Sequence, residues 1–240
     1  MMIASAKADI HYGIKLYESR HDDLLNNPKS NINEAILFFS KKIKEPDYEK
    51  EAALYLLKSF YFKGEFIVKD NEQKKQTFNE GKTLGEKYIK KFPNSVELKY
   101  WHLVNLGSWA KAHGVLTAAY EGVADIMKMQ SEEIININPE YQDGGGYFML
   151  GAIHHRSPNI PFFLSWPDNQ QAIKYLELAV ETGKQKLNQK VYLAQALIKD
   201  DQIDKAKEIL IEVSNSQPES SNFTEDTYEI HKATNLLEDL

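Results

Sequence analysis

Cysteine is missing from all 240 residues, which excludes disulfides, thiolate metal sites and cysteine nucleophiles and leaves the redox compartment open. Long apolar runs are missing too. Nothing approaches the ~18 residues of a membrane-spanning helix, and the opening stretch MMIASAKAD has no apolar segment of secretory-signal length. There is no basic excess: Lys and Arg number 29 against 35 Asp and Glu, for a net charge of −6. Neutralising a phosphate backbone needs a basic stripe, so nucleic acid is not an expected partner. Lys74-Lys75 and Lys90-Lys91 are offset by Glu72, Glu80 and Glu86, as on a solvated helix face. Strand-type patterning is confined to Phe66–Val68. No G-x-S-x-G, H-E-x-x-H or EF-hand pattern occurs. No carboxylate pair sits in an apolar setting that would separate an acid from a base. The expectation is a non-enzymatic protein with no cofactor and no metal.

What is present is apolar content of 42%, including 13 Tyr and 11 Phe, enough for a substantial core. That content recurs in units of two helices. In Leu187 to Ser220, Leu193-Ala194 and Leu197 mark a first helix. Ala206 follows Leu193 by 13 positions, Leu210 follows Ala206 by four, and Pro218 follows Ala206 by twelve. These offsets resemble the tetratricopeptide (TPR) repeat, in which a small residue stands where two helices pack closest. Asp200-Asp201 supplies the turn and an N-cap between them. Leu150-Gly151 and His154 repeat the first-helix register, and Ala172 and Leu176 the second. Asp168 and Gln171 are at capping-box spacing, and about nine residues are inserted between the two helices. Leu56, Leu57 and Phe60 pair with Gly81, Gly85, Tyr88 and Pro93 across a longer insertion through Lys63-Gly64. Helices are also expected at Glu97 to Ala110, with Asn94 and Glu97 at capping-box spacing, and at Val115 to Ile137. A further helix spans Asn33 to Lys44, closed by Pro46.

The fold class expected is all-α: TPR-like antiparallel helix pairs stacked into a right-handed α-α superhelix. No Pro/Gly/Ser linker divides the chain, so residues 1–240 read as one domain, with 1–8 a disordered tail and 224–238 a capping helix.

Glu80-Gly81-Lys82-Thr83 ends like a phosphate loop, but position 76 is Gln where Gly is required and no strand precedes it. Gly81 is better explained by a helix crossing. Asp143-Gly144-Gly145-Gly146 opens a helix, a setting that can hold an anion or simply permit tight packing. His154 and His155 are adjacent and so point about 100° apart, which is not metal-ligand geometry. His154 stands where an aromatic normally packs, while His155 and Arg156 can face a groove. The least ordinary segment is Ser157 to Pro167, SPNIPFFLSWP. Its Phe162, Phe163 and Trp166 either seal the core or form a lid or partner anchor, and Pro158, Pro161 and Pro167 stiffen it. Trp101 and Trp109, eight residues apart, lie near one helix face as core or groove lining. The candidate ligand- or partner-binding set is Trp101, Trp109, Tyr147, His155, Arg156, Phe162, Phe163 and Trp166.

Two stretches carry a narrower likeness: Tyr100 to Gly114 (YWHLVNLGSWAKAHG) and Asn138 to Pro158 (NPEYQDGGGYFMLGAIHHRSP). Tyr100-Trp101, Gly107 with Trp109, Asn138-Pro139, Gly144 to Gly146, Leu150-Gly151 and Ser157-Pro158 together resemble the TPR-like T component of bacterial TRAP transporters, the TatT-type lipoproteins. The likeness covers about Leu84 to Val213. It implies a periplasmic protein tethered by an N-terminal lipid, with a central groove or pore and an extracytoplasmic solute-binding protein as partner. An apolar small-molecule ligand and homo-oligomerisation are also among its implications. The chain departs from that family in having no Cys for the lipid and no signal segment. The competing reading is a cytosolic TPR adaptor for protein–protein interaction. Adaptors that grip a C-terminal carboxylate repeat Lys and Asn on successive first helices, whereas Lys58 and Asn105 stand alone here.

Overall fold

The computed structural model describes residues 2–24, 30–160, 162–184 and 186–240, with side chains from residue 10 onward. The described residues form α-helices joined by short turns and contain no strand, only one isolated antiparallel bridge between Ile160 and Leu164. Contacts divide the chain into two compact units, Met1–Gly114 and Val115–Leu240. The sequence carries no linker-like composition at that point.

Unit 1 holds α1 (Met2–Glu18), α2 (Asn31–Lys42), α3 (Glu49–Phe62), α4 (Asn71–Lys91) and α5 (Val96–His113). From Met2 on, the segment expected to be a tail belongs to α1. Helix α2 starts two residues earlier than its sequence pattern suggests, because its first amides are capped twice. The Ser30 hydroxyl accepts from the Asn33 amide, and the Asp23 carboxylate accepts from the amides of Asn31 at 2.7 Å and Ile32 at 2.9 Å. Phe66–Val68 is not a strand. Lys63–Ile67 forms a π-turn continuing α3, closed by the Val68 amide donating to the Lys63 carbonyl at 2.9 Å. Asp70 caps α4. Ser95, not Asn94, caps α5, accepting from the Leu98 amide and donating to Glu97 at 2.6 Å.

Helices α4 and α5 cross at Gly81 and Gly85. These glycines, four residues apart, leave a strip of α4 without side chains, into which Asn105 and His102 pack. A Cβ on Gly85 would lie 2.5 Å from His102 Cδ2, and one on Gly81 would overlap Asn105 Oδ1. Asn105 is fully buried. Its amide donates to the Leu57 carbonyl of α3 at 2.9 Å and to the Trp101 carbonyl at 2.8 Å, so one side chain joins α3, α4 and α5.

Unit 2 holds α6 (Val115–Tyr120), α7 (Val123–Ile137), α8 (Gly145–Arg156), α9 (Asn169–Thr182), α10 (Leu187–Lys199), α11 (Ile203–Ser214) and α12 (Phe223–Glu238). The single helix expected over Val115–Ile137 is broken at Gly122, whose φ of +66° is left-handed. Helices α8/α9 and α10/α11 are the two repeat pairs seen in the sequence, and α12 packs against α10 and α11. Gly151 is the closest approach in the first pair: a Cβ there would meet Leu176 Cγ at 2.5 Å and the Ala172 carbonyl oxygen at 3.1 Å. Ala206 and Leu210 are fully buried in the second pair. Asp168 caps α9 by accepting from the Gln171 amide at 2.9 Å. Asp200-Asp201 makes the α10–α11 turn, with Asp201 at φ +62°, but the residue before α11 is Gln202, which makes no side-chain cap.

Candidate functional site

The insertion between α8 and α9 is a small hairpin. The amides of Ile160 and Leu164 each donate to the other's carbonyl at 2.8 Å, and the Asn159 side chain donates to the Ser165 carbonyl at 3.3 Å. Pro161 lies outside the described residues. This closure divides the apolar side chains of the loop into two groups.

Leu164 is 4% exposed and Pro167 is buried, so both seal the unit. Trp166 is half-buried. Its indole N–H donates to Asp125 of α7 at 2.8 Å, and its ring meets that of His154 edge-on at 5.0 Å. Phe162 is fully exposed and holds φ at +67°, a left-handed conformation that is strained for a bulky residue. Phe163, 56% exposed, sits 5.9 Å from the ring of Tyr120, itself exposed on α6. Tyr120, Phe163, Leu164, Ala124 and Asp125 line a recess of about 250 Å³. Thus the loop is part core and part surface.

His154 is buried, as its aromatic-like position suggests. Its Nδ1 accepts from the Asp168 amide at 3.1 Å, and the ring stacks on Tyr175 at 5.7 Å. Desolvation holds its pKa below the ordinary imidazole value. One imidazole thus orients the Trp166 ring and fixes the start of α9.

His155 and Arg156 turn to another side of α8. His155 Nδ1 is 3.3 Å from the Asn169 side-chain oxygen. The Arg156 guanidinium lies 5.2 Å over the Tyr192 ring of α10 and donates to Gln195 at 3.1 Å. Lys232 of α12 lies over the same ring at 4.9 Å, and Lys199 of α10 donates to the His155 carbonyl at 3.3 Å. The pKa of His155 is lowered first by burial, against a hydrogen bond to Asn169, and further by Arg156, Lys199 and Lys232. Tyr147, also on α8, is half-buried.

The two tryptophans of the candidate set that remain belong to unit 1. Trp109 is 3% exposed; its N–H donates to Asn79 of α4 at 2.7 Å, and its ring stacks on His113 at 4.3 Å. It ties α5 to α4. Trp101 is half-buried, with its ring 6.0 Å from Tyr61 and the Lys58 ammonium 5.5 Å above it. Unit 1 also has a groove of about 600 Å³, floored by Leu56, Phe60 and Tyr88 and rimmed by polar side chains of α4. Sequence reasoning missed this groove, and it missed Tyr192, Lys199 and Lys232. Their spacing along α10 and α12 is ordinary for a solvated face, and only the packing of α10 between α8 and α12 brings them beside Arg156.

Among the described residues no group of His, Asp or Glu is arranged to hold a metal ion, and no helix is long and apolar enough to cross a membrane. No protein-family model and no curated protein matches the chain. Among solved structures it is similar to the crystal structure of a thermophilic TPR protein from Thermus thermophilus. The TM-score is 0.64 at 12% identity, over 98% of this chain and 99% of that one. At that identity the likeness establishes the fold, an all-α array of TPR-like helix pairs.

Proposed function

We propose that this chain is a non-enzymatic scaffold that binds a protein partner, with the α8–α9 loop of unit 2 as part of the grip. TPR-like pairs are a framework for protein interaction, and the observation that carries the loop assignment is Phe162. A fully exposed phenyl ring on a strained backbone loses its hydration cost only when something covers it. The adjoining Phe163–Tyr120 recess offers the covering side chain a place to lodge.

The finer reading is the one implied by the stretches Tyr100–Gly114 and Asn138–Pro158: a periplasmic T component, lipid-anchored, partnering an extracytoplasmic solute-binding protein. The Gly-rich start of α8 supports it only as shared sequence, since Gly144 and Gly146 are accounted for here by close packing on Ala179 and Ile135.

Photo-crosslinking from a benzoylphenylalanine at position 162 in the native cell tests the scaffold reading. A single discrete crosslinked protein is expected, and it should disappear when Phe163 and Tyr120 are both changed to Ser. Absence of any discrete crosslink ends the loop assignment. A solute-binding protein in that band supports the T-component reading, and a cytosolic protein overturns it in favour of an adaptor.

A further inference from the structure

On a chain with a net charge of −6, three cations of unit 2 gather at one place. Arg156 at the end of α8, Lys199 at the end of α10 and Lys232 on α12 come from three different helices and gather around His155 and Tyr192. Arg156 and Lys199 are exposed, and neither has a carboxylate partner among the described residues; their donors go to an amide oxygen and a backbone carbonyl. Lys232 pairs with Glu229 at 3.5 Å. Arg156 and Lys232 both stand over the Tyr192 ring, at 5.2 and 4.9 Å, so the charges form a compact cluster and not a stripe. The ring is held edge-on by Phe148 at 5.2 Å, and Asn169 positions His155 while donating to the Ala196 carbonyl at 2.8 Å. The cations are thereby tied to a packed framework, and two of them lack the counter-charge that such proximity favours.

We propose that this face of α8, α10 and α12 binds an acidic peptide segment of a protein partner, with Arg156 and Lys199 meeting its carboxylates and Tyr192 packing against the intervening side chains. The proposal rests on the scaffold reading but concerns a surface separate from the Phe162 loop. Charge complementarity selects the occupant. A guanidinium pairs with a carboxylate through two parallel hydrogen bonds, and exchanging Gln195 for a carboxylate gives Arg156 an ion pair. A nucleic acid presents its phosphates as an extended row and is matched by a stripe. A lipid surface is matched by a broad basic, apolar-edged face, whereas here two of the three cations stand over one ring and the third donates to the neighbouring His155 carbonyl.

The test is fluorescence anisotropy on the full chain with a labelled twelve-residue peptide of alternating Glu and Ala. A peptide with Gln for every Glu is the control, and vesicles of phosphatidylglycerol are run in parallel. The acidic peptide is expected to bind and the Gln peptide to bind at least tenfold more weakly, with affinity falling as salt rises. Lys199→Glu, at an exposed residue whose ammonium donates to the His155 carbonyl, is expected to weaken binding at least tenfold with an unchanged melting temperature. Arg156→Glu should do the same; if it lowers the melting temperature, the Lys199 variant remains the deciding one. Equal binding of both peptides, an unaffected Lys199→Glu variant, or binding to the vesicles but not the acidic peptide each overturns the proposal. Phe162→Ser is expected to leave this peptide affinity unchanged, so failure of the acidic-segment proposal is distinguishable from failure of the loop assignment.

Discussion

The two glycine crossings, α4 on α5 in unit 1 and α8 on α9 in unit 2, solve one problem with different chemistry. In unit 1 the space left by Gly81 and Gly85 is filled by polar side chains, Asn105 and His102. In unit 2 the space left by Gly151 is filled by Leu176 and the α9 backbone at Ala172. An apolar crossing tolerates imprecision at its edges, while a polar one adds a geometric condition, because the Asn105 amide must also satisfy the Leu57 carbonyl. The largest expected effect tests the apolar crossing. Gly151→Leu cannot be relieved by rotating Leu176, since the Ala172 carbonyl also stands in the way, and it should destabilise by ~3 kcal/mol. Chemical denaturation would show it. If the midpoint does not move, the helices are not in contact at that residue.

At the polar crossing, Asn105→Ala should cost ~2 kcal/mol by removing the buried hydrogen bonds to the Leu57 and Trp101 carbonyls and leaving a void between the helices. Gly81→Ala tests whether the obstruction is that same side chain. The three atoms nearest a Cβ at Gly81 all belong to Asn105, so adding Gly81→Ala to Asn105→Ala should cost less than Gly81→Ala does alone. Additive costs from the double-mutant cycle would separate the two residues and break the comparison between crossings.

The α8–α9 and α10–α11 pairs were the most legible part of the sequence. Leu193, Ala206 and Leu210 stand at repeat offsets because each fills a fixed place between two helices, and Gly151 and Ala172 repeat the pattern despite the inserted loop. Gly81 and Gly85 also read as helix-crossing residues, but their spacing pairs them with Leu56, Leu57 and Phe60 of α3, whereas the side chains that fill them, Asn105 and His102, come from α5. Helix ends were less legible. Several Ser, Asn and Asp residues compete within one turn, and backbone geometry selects Ser95 over Asn94. The break at Gly122 was hidden because Val115–Tyr120 and Val123–Ile137 are both helical in pattern. The site was legible only as composition. The apolar loop stands out in the sequence, but its division into sealed Leu164 and exposed Phe162 depends on the Ile160–Leu164 hairpin. The cluster around Tyr192 depends on three helices meeting.

The burial of the two histidines of α8 predicts a loss of stability in acid. Burial lowers the pKa of both His154 and His155 from the ordinary 6.5. Between that value and their folded values, the unfolded chain binds protons that the folded chain does not. Their contribution to stability is therefore complete above about pH 6.5 and is lost as pH falls through the folded values. Protonating His154 also removes the acceptor for the Asp168 amide at the start of α9. The melting temperature should fall between pH 7 and pH 5, and His154→Gln, which keeps an acceptor but does not titrate, should flatten that slope. An identical slope in the variant would assign the acid sensitivity elsewhere.

The smallest expected effect on stability belongs to the residue on which the loop assignment depends most. Phe162 and Trp166 are four positions apart in one loop, yet the hairpin sends one into water and ties the other to Asp125 and His154. Trp166→Ala removes a hydrogen bond and half-buried aromatic surface, so it should cost ~1–2 kcal/mol. Phe162→Ala removes a side chain that touches water on all sides, and its stability change should stay within ~0.5 kcal/mol. Phe162→Gly should be mildly stabilising, because glycine adopts a φ of +67° without the steric cost a phenylalanine bears there. A strained, exposed aromatic whose removal leaves the fold as stable or more so is not there for the fold. Crosslinking yield from a probe at position 163 measures what it is there for. Phe162→Gly should reduce that yield severalfold while the melting temperature holds or rises. If instead Phe162→Gly lowers the melting temperature as Trp166→Ala does, the loop acts as one sealing element and the division between its two halves fails.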